Sequence, residues 1–192
     1  MANRFQDKVV IVTGGGSGIG RATALAFARE AARVVVADIN ATAGRETTST
    51  IQAADGKATF CATDVSRAES VAALVDFAVA TYGRLDVYFS NAGILDGLSS
   101  CALTTDEVWA RVIAVNLTGC FYGARAALPH QAKTGGNIVM TASVAALGGL
   151  AGGTAYTASK HGVAGLVNQL ACEFAAQGVR VNGVARAVYA RT

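Results

Sequence analysis

"KVVIVTGGGSGIG" (Lys8–Gly20) holds the first regular pattern of the chain. Lys8–Gly14 is nearly continuously apolar and does not alternate, as a strand buried on both faces of a parallel sheet does. The glycines of Thr13–Gly20 supply the dihedrals of a tight turn and let backbone come close to a bound group. A helix from about Ile19 to Ala31 follows, and its N-terminus offers unpaired N–H groups and a partial positive charge. Together these make a cradle for an anion, and a pyrophosphate fits it. The spacing is G-x3-G-x-G, a variant of the commoner G-x-G-x-x-G. Tight packing of a helix on a strand would also use such glycines.

Working outward, short β-branched runs alternate with alanine-rich segments of helical period. Strands are predicted at Arg33–Asp38, Lys57–Asp64, Leu85–Gly93, Gly136–Ser143 and Val179–Ala185. Helices are predicted at Ala41–Ala53, Ala68–Tyr82, about Thr105 to Gln131, and Tyr156–Ala176. In the last of these, Val163, Leu166, Val167, Leu170, Ala171 and Phe174 fall on one face. Such alternation implies right-handed crossovers and a parallel sheet with helices on both faces. No linker divides residues 1–192, so one domain is expected. Pro129, the only proline, falls where it would kink or end the long helix.

Asp38 closes the second predicted strand, at about the separation where an acid meets an adenosine ribose. A carboxylate there accepts from both ribose hydroxyls and repels a 2′-phosphate. Ser17, where a basic side chain could have neutralised that phosphate, also points to NAD rather than NADP. The competing reading of Asp38 is a helix cap before Asn40.

Composition narrows the classes. Apolar residues make up 52% of the 192, charged residues 15%, and the net charge is +3. That describes a globular protein with a large buried sheet. The basic residues are scattered, so no nucleic-acid or membrane patch is expected. Cys61, Cys101, Cys120 and Cys172 are far apart, and His130 and His161 have no partner at ligand spacing. No metal and no disulfide are expected, which suits a reducing compartment. The N-terminus lacks the pattern of a signal peptide, and the cytoplasm is the expected location.

"AYTASKHG" (Ala155–Gly162) places Tyr156 and Lys160 at i and i+4, on one helical stripe. A core tyrosine beside a solvated lysine is the plain reading. The alternative is chemical. A tyrosine with a pKa of about 10 is nearly always protonated at neutral pH. An ammonium one turn away favours the phenolate, and a shift of about two units corresponds to roughly 2.7 kcal/mol. That moves the phenol toward the range useful for general acid–base catalysis. His161 lies on a different helical face and reads as structural.

With these motifs in order, the chain resembles the short-chain dehydrogenase/reductase family from Lys8 to about Val184. The matching stretches are "TGGGSGIG", "TDV" (Thr63–Val65), "SNAG" (Ser90–Gly93), Asn116 in "AVNLTG", Ser143 in "TASVAA", "YTASK" (Tyr156–Lys160) and "VRVNGV" (Val179–Val184). The resemblance implies a Rossmann fold, an α/β/α doubly wound parallel sheet of strand order 3-2-1-4-5-6. It implies a nicotinamide cofactor and hydride transfer between a secondary alcohol and a ketone. Its catalytic set would be Asn116, Ser143, Tyr156 and Lys160. Gly14, Ser17, Gly18, Ile19 and Gly20 would hold the pyrophosphate, and Asp64 and Val65 the adenine. Asn91, Ala92 and Gly93 would line the cofactor cleft. Lys160 would also hold the nicotinamide ribose, Ser143 would donate to the substrate oxygen, and Asn116 would hold a water leading from Lys160 to solvent. A homodimer or homotetramer is expected, through the two long helices.

The resemblance breaks after "VRVNGV". A Pro-Gly turn and a threonine reaching the nicotinamide are usual there, whereas Ala185, Arg186 and Ala187 follow here. Thr192, the last residue, is the only candidate for that threonine. The family's substrate lid and its last strand and helix have no counterpart in the sequence. Two expectations follow: a dehydrogenase whose full chain is longer or which works despite the loss, or an impaired Rossmann module that binds NAD weakly or only associates with partners; in either case the 192 residues are expected to turn over poorly, if at all. "VAALGGLAGG" (Val144–Gly153) and "ILDGLSS" (Ile94–Ser100) are mostly apolar or uncharged, so a neutral, hydrophobic, alicyclic alcohol or ketone is the expected substrate.

Overall fold

The computed structural model describes residues 3–149 and 151–185. The expectations for Arg186, Ala187 and Thr192 lie outside those residues. Strands β1 (Val9–Thr13), β2 (Arg33–Asp38), β3 (Lys57–Ala62), β4 (Val87–Ser90), β5 (Gly136–Thr141) and β6 (Val179–Val184) form one sheet, ordered β3-β2-β1-β4-β5-β6. Every pairing is parallel. This is the doubly wound Rossmann sheet, and its order reverses between β1 and β4.

Strands β1, β2 and β4 owe their place to burial. All five residues of β1 are buried, and Val9–Val12 have no exposed surface. Burying each such side chain contributes about 1.5–3 kcal/mol. Helices α1 (Gly18–Arg29) and α2 (Ala41–Gln52) cover one face, through Ala24 and Ile51 against Val10, Val12, Val34 and Val36. Helices α3 (Ala68–Tyr82), α5 (Gly119–Gln131) and α6 (Thr154–Phe174) cover the other, against Ile11, Val35, Tyr88, Ile138 and Met140. The alternating burial of β5 and β6 differs from β1: Ile138, Met140, Val179 and Val181 are buried, while Asn137, Val139 and Thr141 are partly exposed and Arg180 and Asn182 exposed. Among the described residues no helix covers that second face.

The expected long helix is interrupted. Helix α4 (Asp106–Ile113) passes through a π-helical turn at Ala114–Thr118 before α5 begins. A π turn fits one extra residue into the ladder and often marks a functional position; here it carries Asn116. Pro129 lies in the last turn of α5, which ends two residues later at Gln131. The fourth strand is shorter than expected, because Leu85 and Asp86 precede its ladder and Asn91 turns away from it.

Candidate functional site

The carboxyl ends of β1, β2, β4 and β5 open into one cleft where the strand order reverses, the place where open α/β sheets bind ligands. One part, of about 570 Å³, is lined by Gly14, Ser17, Asp38, Asp64, Val65 and Gly93, among others. A contiguous part, of about 420 Å³, shares Gly14, Ser17, Ala92 and Gly93 and adds Gly18, Ile19, Asn91, Tyr156 and Lys160. The two sequence signals, the glycine turn and the Tyr156–Lys160 stripe, thus converge on one space.

The turn has the shape that its glycines predict. Gly14 has φ +63° and Gly18 φ +49°, both in the left-handed region. Space at Gly18 is open on the side where a Cβ would project, so a ligand can come close to the backbone. Gly20 has a different task. A Cβ there would run into the Gly14 carbonyl, so this residue closes the turn against the helix rather than lining the cleft. Gly16 donates to Asp38 Oδ2 at 2.8 Å, and Asn40 donates its backbone N–H to Asp38 Oδ1 at 2.9 Å. The acid therefore ties the turn to the end of β2 while facing the cleft. Asn40, not Asp38, caps α2, accepting from the Ala43 N–H at 3.1 Å. Asp64 has one carboxylate oxygen bonded by the Ser66 amide and hydroxyl. This cradle fits a dinucleotide: exposed N–H groups at a helix start, an acid at the ribose distance, and room for the chain of groups between them.

At the other end of the cleft, Tyr156 is half-buried in the first turn of α6. The Lys160 ammonium lies 5.6 Å from the centre of its ring and donates to the Thr141 carbonyl at 2.6 Å. Ser143 ends the segment after β5 and accepts from the Ala145 N–H at 3.2 Å. Asn116 is fully buried. Its Oδ1 accepts from the Ile94 N–H at 2.8 Å, and its Nδ2 donates to the Ile94 carbonyl at 2.9 Å and to Ser159 Oγ at 3.1 Å. One amide donor therefore braces the loop after β4 and the other ties Asn116 to α6. A Cβ on Gly93 would come 3.2 Å from Asn116 Oδ1 and 3.7 Å from Lys160 Nζ, which places these two groups on either side of one small gap.

Several supports escaped the sequence reading. Thr13 Oγ1 donates to the Phe89 carbonyl and accepts from the Asn91 and Ala92 amides, joining the ends of β1 and β4. Asn91 donates to the Thr13 carbonyl and accepts from Thr141 Oγ1, extending the join to β5. Arg111 and Ile39 add to the wall of the larger space. Thr13 and Thr141 stand in the quoted motifs, yet a strand-end threonine carries no signal of its own, and the carbonyl that holds Lys160 is backbone.

Other reactive groups are excluded by their surroundings. Burial pushes the Cys120 thiol up, against the opposing effects of Ser90 and Lys160, so it stays a protonated thiol. Burial likewise pushes the Tyr88 phenol up. Of the described tyrosines, Tyr156 lines the cleft. Among the described residues no three His, Cys, Asp or Glu side chains gather as a metal site. No described helix is long and apolar enough to cross a membrane.

Comparison with known proteins agrees with this geometry. The short chain dehydrogenase family matches over residues 8–192. A cyclohexanol dehydrogenase of Acinetobacter sp. (strain SE19) is 44% identical over 185 residues, covering 96% of this chain and 74% of that protein. A 3beta-hydroxysteroid dehydrogenase of Mediterraneibacter gnavus (strain ATCC 29149 / DSM 114966 / JCM 6515 / VPI C7-9) is 38% identical, covering 94% of this chain and 66% of that one. The crystal structure of levodione reductase superposes with a TM-score of 0.91 at 36% identity, over 95% of this chain and 72% of that one. The chain belongs to the short-chain dehydrogenase family, enzymes that act on CH–OH groups with a nicotinamide dinucleotide.

Proposed function

We propose that the protein interconverts a neutral secondary alcohol and its ketone with NAD, using Tyr156 as the general acid–base. The observation that carries this reading is the shared cleft: Tyr156 and Lys160 line the same space as Gly14, Ser17 and Gly18. A nicotinamide held there supplies the hydride acceptor. The substrate hydroxyl must lose its proton as its carbon is oxidised, and Tyr156, acting as the phenolate, takes that proton and becomes the neutral phenol. Lys160, fixed by the Thr141 carbonyl, keeps a positive charge beside the ring, where it offsets the phenolate charge before the proton arrives. Ser143 donates a hydrogen bond to the substrate oxygen. Asn116 holds the Ile94 backbone and faces the gap toward Lys160, where a water would carry the proton outward.

Asp38 argues for NAD over NADP, since its carboxylate faces the cleft at the end of β2 and would oppose a 2′-phosphate. Asp64 and Val65 would border the adenine. Leu95, Leu98, Leu103 and Leu147 are all exposed on the loops after β4 and β5. Leu95 lines the cleft beside Tyr156 and suits a hydrophobic substrate, and the cyclohexanol and hydroxysteroid relatives carry ring alcohols in their names. Free cysteines suit the cytoplasm. The exposed Trp109 and Phe121, on the α4–α5 surface, would pair between subunits of a homodimer or homotetramer.

The test is turnover of cyclohexanol with NAD+ beside calorimetric binding of NAD+ and NADP+. Tyr156→Phe keeps the ring and its packing, so it should retain NAD+ affinity and lose more than about a hundredfold in kcat. Lys160→Ala should weaken both binding and rate. NAD+ should bind more tightly than NADP+, and Asp38→Ser should narrow that difference. Equal affinity for the two cofactors in the unaltered protein would sink the NAD assignment.

A further inference from the structure

We propose that Asp96 is a positioning residue for Tyr156, capping α6 from a neighbouring loop and so fixing where the phenol stands in the cleft. This rests on reading Tyr156 as the acid–base group. The first N–H groups of a helix need acceptors from outside it. The residue before α6 is Gly153, which has no side chain to offer. Asp96 supplies the missing acceptor. Its Oδ2 accepts from the Tyr156 backbone N–H at 2.9 Å, and its Oδ1 accepts from the Leu98 N–H at 3.1 Å. A Cβ on Gly153 would overlap both carboxylate oxygens, so the space a usual capping side chain would take is filled by Asp96.

The loop is stitched to the helix at a second place. Thr154 donates its N–H to the Ser99 carbonyl at 3.1 Å, and Ser99 Oγ donates to the Asp96 carbonyl at 3.0 Å. Asp96 is only 5% exposed, and no salt bridge among the described residues involves it. The positive end of α6 is what compensates its charge. Two residues earlier, Asn116 grips both the N–H and the carbonyl of Ile94. One short stretch, Ile94–Asp96, therefore joins Asn116 at one end to Tyr156 at the other. Lys160 is anchored separately, on Thr141. Loss of the Asp96 carboxylate should loosen the first turn of α6, and Tyr156 with it, while Lys160 and the glycine turn keep their places.

The proposal is tested with Asp96→Ala and Asp96→Asn in the whole chain, using cyclohexanol and NAD+ for turnover and calorimetry for NAD+ affinity. Asp86→Asn serves as a control, since it weakens the sheet at the amino ends of β1 and β4, away from the cleft. Asp96→Ala should lower kcat by about ten- to a hundredfold, with NAD+ affinity within about twofold of the unaltered protein. Asp96→Asn keeps one carbonyl acceptor and should recover part of that loss. The 13Cζ resonance of Tyr156 with NAD+ bound, assigned through Tyr156→Phe, gives the same comparison without turnover: Asp96→Ala should move it and Asp86→Asn should not. An unmoved resonance with unchanged kcat in Asp96→Ala would overturn the proposal, as would an equal loss of kcat in Asp86→Asn. If Tyr156→Phe turns over normally, the acid–base reading falls instead, and the resonance alone decides whether Asp96 sets the ring.

Discussion

Asp86 shows how a single side chain can join elements from distant parts of the chain. It accepts from the Val9 N–H at 2.9 Å, from Lys8 Nζ at 3.2 Å and from Arg84 Nε at 2.8 Å. Burial works against its charge, but the hydrogen bonds from Arg84, the Val9 amide and Lys8 outweigh it and hold the carboxyl below its ordinary range. A carboxyl depressed in the folded state contributes stability above its unfolded value of about 3.9, and that contribution is lost as pH falls through the folded value. Asp86→Asn should cost about 1–3 kcal/mol at neutral pH. Thermal melts from about pH 7 down to pH 3 should show the two proteins converging on the acid side; a constant gap would mean the charge is not what matters. Nothing in "LDVYFS" announces this role, because an acid before a strand reads equally well as a turn residue. Asp38 was easier to find, since its distance from the glycine turn is itself a signal.

Helices and strands were legible to the extent that one neighbour decides them. Helix α3 matches its predicted bounds because Gly83, with φ +80°, ends it locally. Asn40 marks the start of α2 in the same way. Asn40→Ala should cost about 1 kcal/mol, seen as a fall in Tm of about 2–4 °C; an unchanged melt would show that the Asp38 tether alone secures that turn. The π turn at Ala114–Thr118 could not be read from periodicity. It exists to bring Asn116 onto Ile94, a contact between segments 22 residues apart. The tether from Asp96 to the start of α6 was equally hidden, because it comes from a loop some 60 residues earlier and the N-cap itself is Gly153. What the motifs supplied was the candidate set at the cleft, Tyr156 and Lys160 among it; what they withheld was the bracing around those side chains.

For the molecule as a whole, the two faces of the sheet are treated differently. α3, α5 and α6 cover one face, and beyond them the α4–α5 surface leaves Trp109 and Phe121 exposed. Arg125 lies 5.0 Å from the Phe121 ring and 5.1 Å from the Tyr122 ring, a guanidinium–aromatic cluster of the kind that subunit contacts favour. Light scattering at micromolar concentration should give at least a dimer. Phe121→Asp combined with Trp109→Asp should shift it toward monomer, and an unaffected assembly would place the interface elsewhere. Strand order follows from the alternation of elements and the position of the glycine turn, so it was readable in advance. The uneven cover of β5 was not, because the apolar content of "GNIVMTAS" is the same whether one face is packed or two; in β6 the alternation of Val179, Arg180, Val181 and Asn182 does carry that signal.

The central position of β1 has a consequence during synthesis. β1 is the first strand to be made, yet one of its two partners arrives late: Val9 waits for Asp86, 77 residues further on. Once β3 is complete at Ala62, three strands can pair while β1 still offers an open edge, apolar from Val9 to Val12. At about 5–20 residues per second, the ribosome needs a few seconds more to deliver β4 through Ser90. Over that interval the chain is most open to pairing with another nascent copy, and any pause in translation between Ala62 and Ser90 would lengthen it.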